Sequence, residues 1–386
     1  MARKSTIVAT GFAMFAMFFG AGNIVFPLAL GQISQNQNIW GTFGLMITAV
    51  IVPLAGLIGM LLYDGNYNEF FKKIGKTPGF ILSTLILCLI GPFAGIPRCI
   101  TIAYSTLSTT GLPFISSINL LTFSAITCVV IFLFTIRPTK ILGLIGKVLT
   151  PILLLSLAVI IVVGFWTMPS AEPSHLTRFE TFSKGVVEGY NTMDLLASFF
   201  FSSIILVCLR DRFKIEEKKS MISTAIVGAA IAAILLLTVY FCFSSLAAGY
   251  SSALESVPDH QLLGTLACQL LGPYAGLVVA VLVYLAVLTT MIALTTIFSG
   301  FLQKTVFKKK VSYVVTLILT LAISFAVSTL HFDGIAAFVG PILQICYPAL
   351  IALAILNILH KTYDFKYIKY GFYGILGLTA LIRVLS

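Results

Sequence analysis

The sequence predicts an all-α integral membrane protein of about eleven transmembrane helices, built as a single transmembrane domain over 1–386. Three observations predict it: the scarcity of charge, the length of the apolar runs, and the places where the few basic residues fall. Hydrophobic residues fill 59% of the 386 positions and charged residues 10%, and the mean hydropathy is +1.06. A soluble domain needs about 25% charged residues to keep its surface solvated. Here the apolar surface must face lipid. A hydrocarbon core about 30 Å thick takes roughly 20 apolar residues per helical crossing, which leaves room for about ten to twelve crossings.

Taken in order, the apolar segments lie at about 6–30, 39–63, 78–110, 119–136, 141–166, 186–209, 220–248, 272–302, 311–330, 335–359 and 370–385. The first follows Arg3 and Lys4, as a signal peptide would. Its run from Ile7 to Leu30 is too long for a signal core of 7–15 residues and reads as a retained helix. With the N-terminus inside, the alternate loops at 64–77, 137–147, 210–219, 303–310 and 360–369 and the N-terminal tail hold 20 of the 24 Lys and Arg residues. The opposite loops hold two, Arg178 and Lys184. The positive-inside rule therefore puts the N-terminus of this multi-pass membrane protein on the cytoplasmic side.

The net charge of +11 is spread through these small clusters and forms no nucleic-acid-binding stripe. Cys88, Cys99, Cys128, Cys208, Cys242, Cys268 and Cys346 lie in or beside apolar runs without a CxxC pair, as small packing residues do. An intramembrane enzyme would need ligands or a nucleophile set at depth. The four histidines, His175, His260, His331 and His360, all sit in or beside loops, and none forms an HxxxH pair. No cofactor is expected, and a channel would need a pore ring that the sequence does not offer. The polar stretches at 167–185 and 250–262, the latter with Glu255, Pro258 and Asp259, fall outside and read equally as covers of an outward cavity or as connectors.

Chemistry inside a membrane concentrates where helices break. Freed N–H groups bind anions there, and freed carbonyls bind cations. In the first span Gly20, Ala21, Gly22 and Asn23 interrupt the run from Gly11 to Pro27, and a half-helix starting near Asn23 would aim its positive end at a carboxylate. A packing face of small residues would look similar. The sixth span opens with Glu188, Gly189, Tyr190, Asn191, Thr192, Met193 and Asp194 before the apolar run Leu195 to Leu209. Asp194 is either functional, as intramembrane acids usually are, or close enough to the surface to stay hydrated. In the third span Gly91, Pro92 and Pro97 mark a break beside Arg98. Arg98 is expected either to pair with Glu188 or Asp194 as a gate, or to snorkel to the headgroups. In the eighth span Ala286, Thr289 and Thr290 offer neutral oxygens suited to a monovalent cation, although threonines also bond their own helix backbone.

Four segments carry a resemblance: GFAMFAMFFGAGNIVFP at 11–27, GPFAGIPR at 91–98, GKVLTPILLL at 146–155 and EGYNTMD at 188–194. Together they resemble the bacterial branched-chain amino acid:cation symporters. That resemblance implies import of leucine, isoleucine and valine driven by Na+ or H+, on an amino acid–polyamine–organocation type fold. Such a fold has two inverted five-helix repeats with broken helices 1 and 6, here about 6–166 and 186–359, and an extra helix at 370–385. The resemblance puts the substrate carboxylate on the N–H groups of Ala21 and Gly22, between Gly20 and Asn23. It puts the ammonium in the break from Tyr190 through Asn191, Thr192 and Met193 to Asp194. A coupling cation would lie between the Ala16 and Phe19 carbonyls, the Ala286 carbonyl and the Thr289 and Thr290 hydroxyls. Asp194 could instead carry a proton. The expected partners are thus an amino acid, a monovalent cation and the bilayer. Another neutral substrate, such as methionine, alanine or serine, stays open. Relatives usually have a twelfth span, and its apparent absence here bears on oligomer contacts more than on transport.

Overall fold

The computed structural model describes residues 2–111, 118–136, 150–210, 213 and 218–385, and among these every regular element is helical. The principal helices are α1 (Ala2–Phe18), α2 (Ala21–Ser34), α3 (Asn38–Met46), α4 (Val52–Leu62), α5 (Lys76–Cys88), α6 (Gly95–Ser108), α7 (Leu120–Thr135) and α8 (Thr150–Trp166). The second half holds α9 (Arg178–Asn191), α10 (Asp194–Arg210), α11 (Lys218–Gly249), α12 (Leu262–Leu271), α13 (Pro273–Phe301), α14 (Tyr313–Ser328), α15 (His331–Tyr363) and α16 (Ile368–Leu385). All eleven expected segments contain helix. The loop at 137–147 and the start of the fifth span, including the first part of the GKVLTPILLL segment, lie outside the described residues, as does much of 210–219.

Several ends are set locally. Thr177 and Glu180 form a capping box at the start of α9: the Thr177 hydroxyl accepts from the Glu180 N–H (3.3 Å) and the Glu180 carboxylate accepts from the Thr177 N–H (2.8 Å). Asn119 caps α7 through the Thr122 N–H (2.8 Å), and Ser312 caps α14. At about 1.5 Å per residue the 29 residues of α13 extend roughly 44 Å, more than the hydrocarbon thickness. Two elements were not expected. α12 forms in the stretch 262–271, and a short helix, Tyr67–Lys72, forms in the loop at 64–77 and buries Phe70 and Phe71 against Phe199 of α10. Both bury their apolar side on neighbouring spans, a tertiary gain that a single run of hydropathy does not reveal.

Close backbone approach organises the packing. α3 lies on α9 with Gly41 and Gly44 facing Gly185 and Phe182. A Cβ at Gly185 would sit 1.9 Å from the Gly41 carbonyl oxygen, so the two helices touch backbone to backbone. α11 packs along both α1 and α2 and so braces the first broken span on either side of its break. α10 packs on α4, and α13 on α6.

Among the described residues three spans leave helical geometry partway. α1 stops at Phe18 and α2 starts at Ala21, with Gly20 extended between them (φ −111°, ψ −163°) and its N–H held by the Asn23 side-chain oxygen at 2.9 Å. The sixth span breaks at Thr192 and Met193, where Met193 is left-handed (φ 61°). A non-glycine residue held there stores on the order of 1–3 kcal/mol, which its surroundings must offset. The third span turns through a π-type segment, Leu89–Phe93, with Gly91 non-helical, before α6 begins. A Cβ on Gly95 would lie 1.8 Å from the Ile90 carbonyl oxygen, so this turn requires glycine.

Candidate functional site

The first and sixth breaks meet. A Cβ on Gly22 would fall 2.9 Å from the Thr192 Cα, so the two interrupted backbones are in direct contact. Around this junction lies a cavity. Gly20, Ala21, Gly22 and Asn23 line one side, Thr192, Met193 and Asp194 another, and Arg98, Thr290 and an apolar set including Ile90, Ala197, Phe201 and Leu294 close it. Ala21 and Gly22 open α2, and the first N–H groups of a helix have no partner within it. Helix direction thus makes that wall electropositive.

Asn23, Arg98 and Asp194 are 1%, 2% and 3% exposed, so each must find partners within the protein. The Asp194 Oδ2 accepts from the Asn23 amide at 2.7 Å and from the Tyr240 hydroxyl at 3.1 Å, and the Asn23 amide also reaches the Tyr240 oxygen. This cluster ties together both breaks and α11. Across it, the Tyr347 hydroxyl accepts the Leu195 N–H at 3.1 Å, satisfying an orphan donor of the first turn of α10.

Not every expected residue reaches the cavity. Tyr190 is not part of its lining and instead stacks on Tyr347, with ring centroids 4.6 Å apart. Asn191 also stands outside it: its carbonyl accepts from Arg98 Nη1 at 3.0 Å and its amide donates to Glu188 at 3.0 Å. The expected ion pair between Arg98 and Glu188 or Asp194 does not form among the described residues; Asn191 bridges Arg98 to Glu188 instead. Nor does Arg98 snorkel, because its guanidinium lies 5.6 Å from the centroids of both Phe26 and Phe332. Tyr240, Tyr347 and the apolar wall were not anticipated. A tyrosine in an apolar span is ordinary, and only the need of its buried hydroxyl for a partner hinted at them.

A second constellation lies below the first break. The Thr289 hydroxyl is 3.1 Å from the Ala16 carbonyl oxygen and 2.7 Å from that of Ala286. The Thr290 hydroxyl is 3.4 Å from the carbonyl oxygens of Ala16 and Met17 and 3.5 Å from that of Phe19. The five expected residues therefore converge, with Met17 added. The Ala16 and Met17 carbonyls belong to the last turn of α1, where no N–H of the helix reaches them, and the threonine hydroxyls cap them. Six neutral oxygens in one place also suit a hard monovalent cation. Among the described residues no cluster of His, Cys, Asp or Glu offers an alternative metal site.

A family model described as a branched-chain amino acid transport protein matches residues 3–386. The branched-chain amino acid permease BrnQ of Bacillus subtilis is 30% identical over 380 residues, covering 94% of this chain and 83% of the permease. BraB of the same organism, also a branched-chain amino acid permease, is 29% identical over 367 residues, covering 93% and 81%. Among solved structures, a mutant manganese transporter of Eremococcus coleocola aligns with a TM-score of 0.59 at 11% identity, over 99% of this chain and 86% of that one. A Na+-coupled sialic acid symporter aligns with a TM-score of 0.56 at 11% identity, over 98% and 90%. At such identities these two share the all-helical fold alone.

Proposed function

Because the chain belongs to the family of branched-chain amino acid transport proteins, we propose that this transporter imports leucine, isoleucine and valine by cation symport through alternating access. The family is one of carriers, not enzymes. The observation that carries the coupling is the convergence of Thr289 and Thr290 on the Ala16, Met17 and Phe19 carbonyls. A bound Na+ would join α1 to α13 and fix the unwound turn at Gly20, so that substrate meets an ordered site. The substrate's ammonium would face Asp194 and the Thr192 end of the sixth break, with Ala21 and Gly22 at its other end. The branched side chain would lie against Ile90, Ala197, Phe201 and Leu294. This apolar wall favours an aliphatic substrate over alanine or serine.

Two matched breaks, one in each half, support the reading of the chain as inverted repeats, 6–166 and 186–359, that rock about the cavity. The 20-to-2 distribution of basic residues supports a cytoplasmic N-terminus in a bacterial inner membrane. The Glu188–Asn191–Arg98 chain, roofed by Phe26 and Phe332, sits where an outer gate would close.

The test is isoleucine uptake into proteoliposomes under an imposed Na+ or H+ gradient, with unlabelled amino acids competing. Accumulation that leucine and valine suppress is expected, and the gradient that drives it identifies the ion. Thr290→Ala should raise the Na+ concentration for half-maximal uptake by at least ~10-fold, the effect of losing a buried oxygen ligand worth about 1.4 kcal/mol. Uptake indifferent to both gradients would defeat the symport reading, and an unchanged ion dependence in Thr290→Ala would defeat the cation site.

A further inference from the structure

We propose that Arg98 receives the substrate's carboxylate, so that the cavity holds the amino acid as a zwitterion suspended between Asp194 and Arg98. The inference rests on the reading of the cavity as the amino acid site, and adds to it the residue that recognises the acid group.

Arg98 is buried, lies in the cavity wall, and stands on the first turn of α6, held there by the third-span break. Its guanidinium offers five N–H donors in a planar fork. Among the described residues Nη1 alone has a partner, the Asn191 carbonyl, and both Nε and Nη2 are buried without one. A buried cation whose donors are unmatched is costly, and mutation data put the penalty of an uncompensated buried charge at several kcal/mol. Phe26 and Phe332 flank the guanidinium and offset part of that cost through their ring faces, but they supply no acceptor for the N–H groups. Glu188 is joined to it only through Asn191, and Asp194 is engaged by Asn23 and Tyr240. The missing anion is therefore one that arrives.

The cavity wall thus carries one buried acid and one buried base that are not paired with each other. A free α-amino acid has the complementary pair of charges on one carbon, and its carboxylate can take two N–H donors from an arginine fork. The electropositive start of α2, at Ala21 and Gly22, lies in the same wall and adds to the field on that end of the ligand. An apolar amine or an aliphatic acid of the same shape satisfies only half of this arrangement.

The experiment compares leucine with leucinol, which keeps the ammonium and side chain but lacks the carboxylate, as competitors of labelled isoleucine in proteoliposomes. Wild-type protein should prefer leucine by at least ~30-fold, the ratio expected for a desolvated carboxylate–arginine pair. In Arg98→Gln the affinity for leucine should fall until the two competitors differ by less than about 3-fold, with leucinol affinity nearly unchanged. Arg98→Lys, which keeps the charge without the fork, should restore part of the preference. Arg98→Met provides a second neutral variant should the glutamine variant fold poorly. A leucine-over-leucinol ratio equal to wild type in either neutral variant would overturn the proposal while leaving the substrate reading intact. Absence of saturable leucine competition in the wild-type protein would overturn both.

Discussion

Gly22 shows how much a single hydrogen can decide. The Cβ of any other residue there would lie 2.9 Å from the Thr192 Cα and 3.1 Å from its carbonyl oxygen, and neither backbone atom can rotate away. Gly22→Ala should therefore spread the two breaks and reduce isoleucine uptake by at least ~10-fold, since overpacking at a tight site costs about 1–3 kcal/mol. Gly377→Ala, where a Cβ meets nothing within 4 Å, should leave uptake unchanged and provides the control. At this scale the sequence was informative wherever the residue type itself was unusual for a membrane span. The GAGN break, Asp194 and the threonine pair were all legible for that reason. Tyr240 and Tyr347 were not, because which aromatic hydroxyl meets a buried carboxylate depends on how α11 and α15 rotate, and many rotations suit the same hydropathy. Arg98 was legible as a buried charge, but its partner was misread. Two acids lay within plausible reach, and the chain used the Asn191 carbonyl instead.

At the scale of elements, the α3–α9 contact depends on glycines that let the backbones meet. Gly185→Ala would drive a methyl group into the Gly41 carbonyl and should lower stability by about 1–3 kcal/mol, read as a drop in Tm of detergent-solubilised protein. The helix content of each span could be foreseen from length and hydropathy, but α12 could not, because ten residues with a polar lead-in do not distinguish a short docked helix from a connector. The turn before it carries a pH dependence. The protein around Asp259, and then Asp333, pushes its carboxyl above the usual range, with His260 opposing. The protonated form is the one that docks best. Docking of this turn is therefore tightest in acid and loosens as pH rises through the folded-state pKa. Hydrogen exchange across 251–262 should accelerate beyond its intrinsic pH trend as pH is raised from about 4 to 8, and Asp259→Asn should remove that extra acceleration. Identical corrected rates for the two proteins at every pH would contradict this origin. His260, 3.2 Å from Asp333, links the turn to the start of α15, one residue from Phe332 of the roof.

For the whole molecule, composition alone implies a membrane domain, because bilayer physics leaves few alternatives. What composition could not supply is the meeting of segments far apart in the chain. The first and sixth breaks are separated by about 170 residues, yet Asn23 hydrogen-bonds Asp194 directly. That contact follows from topology, which a single sequence encodes only through family resemblance.

Cys99 stands in the cavity wall, one residue after Arg98, whereas Cys208 lies on an exposed face of α10. The transporter thereby contains a native chemical clock. The rate at which a small alkylating reagent reaches Cys99 measures how often the vestibule is unsealed, and a reagent confined to one compartment tells which door was ajar. Leucine bound beside it should slow that rate several-fold while leaving Cys208 unaffected, a balance readable by peptide-level mass spectrometry of the alkylated wild-type protein. Equal protection of both thiols would indicate a global tightening instead of occupancy of this chamber.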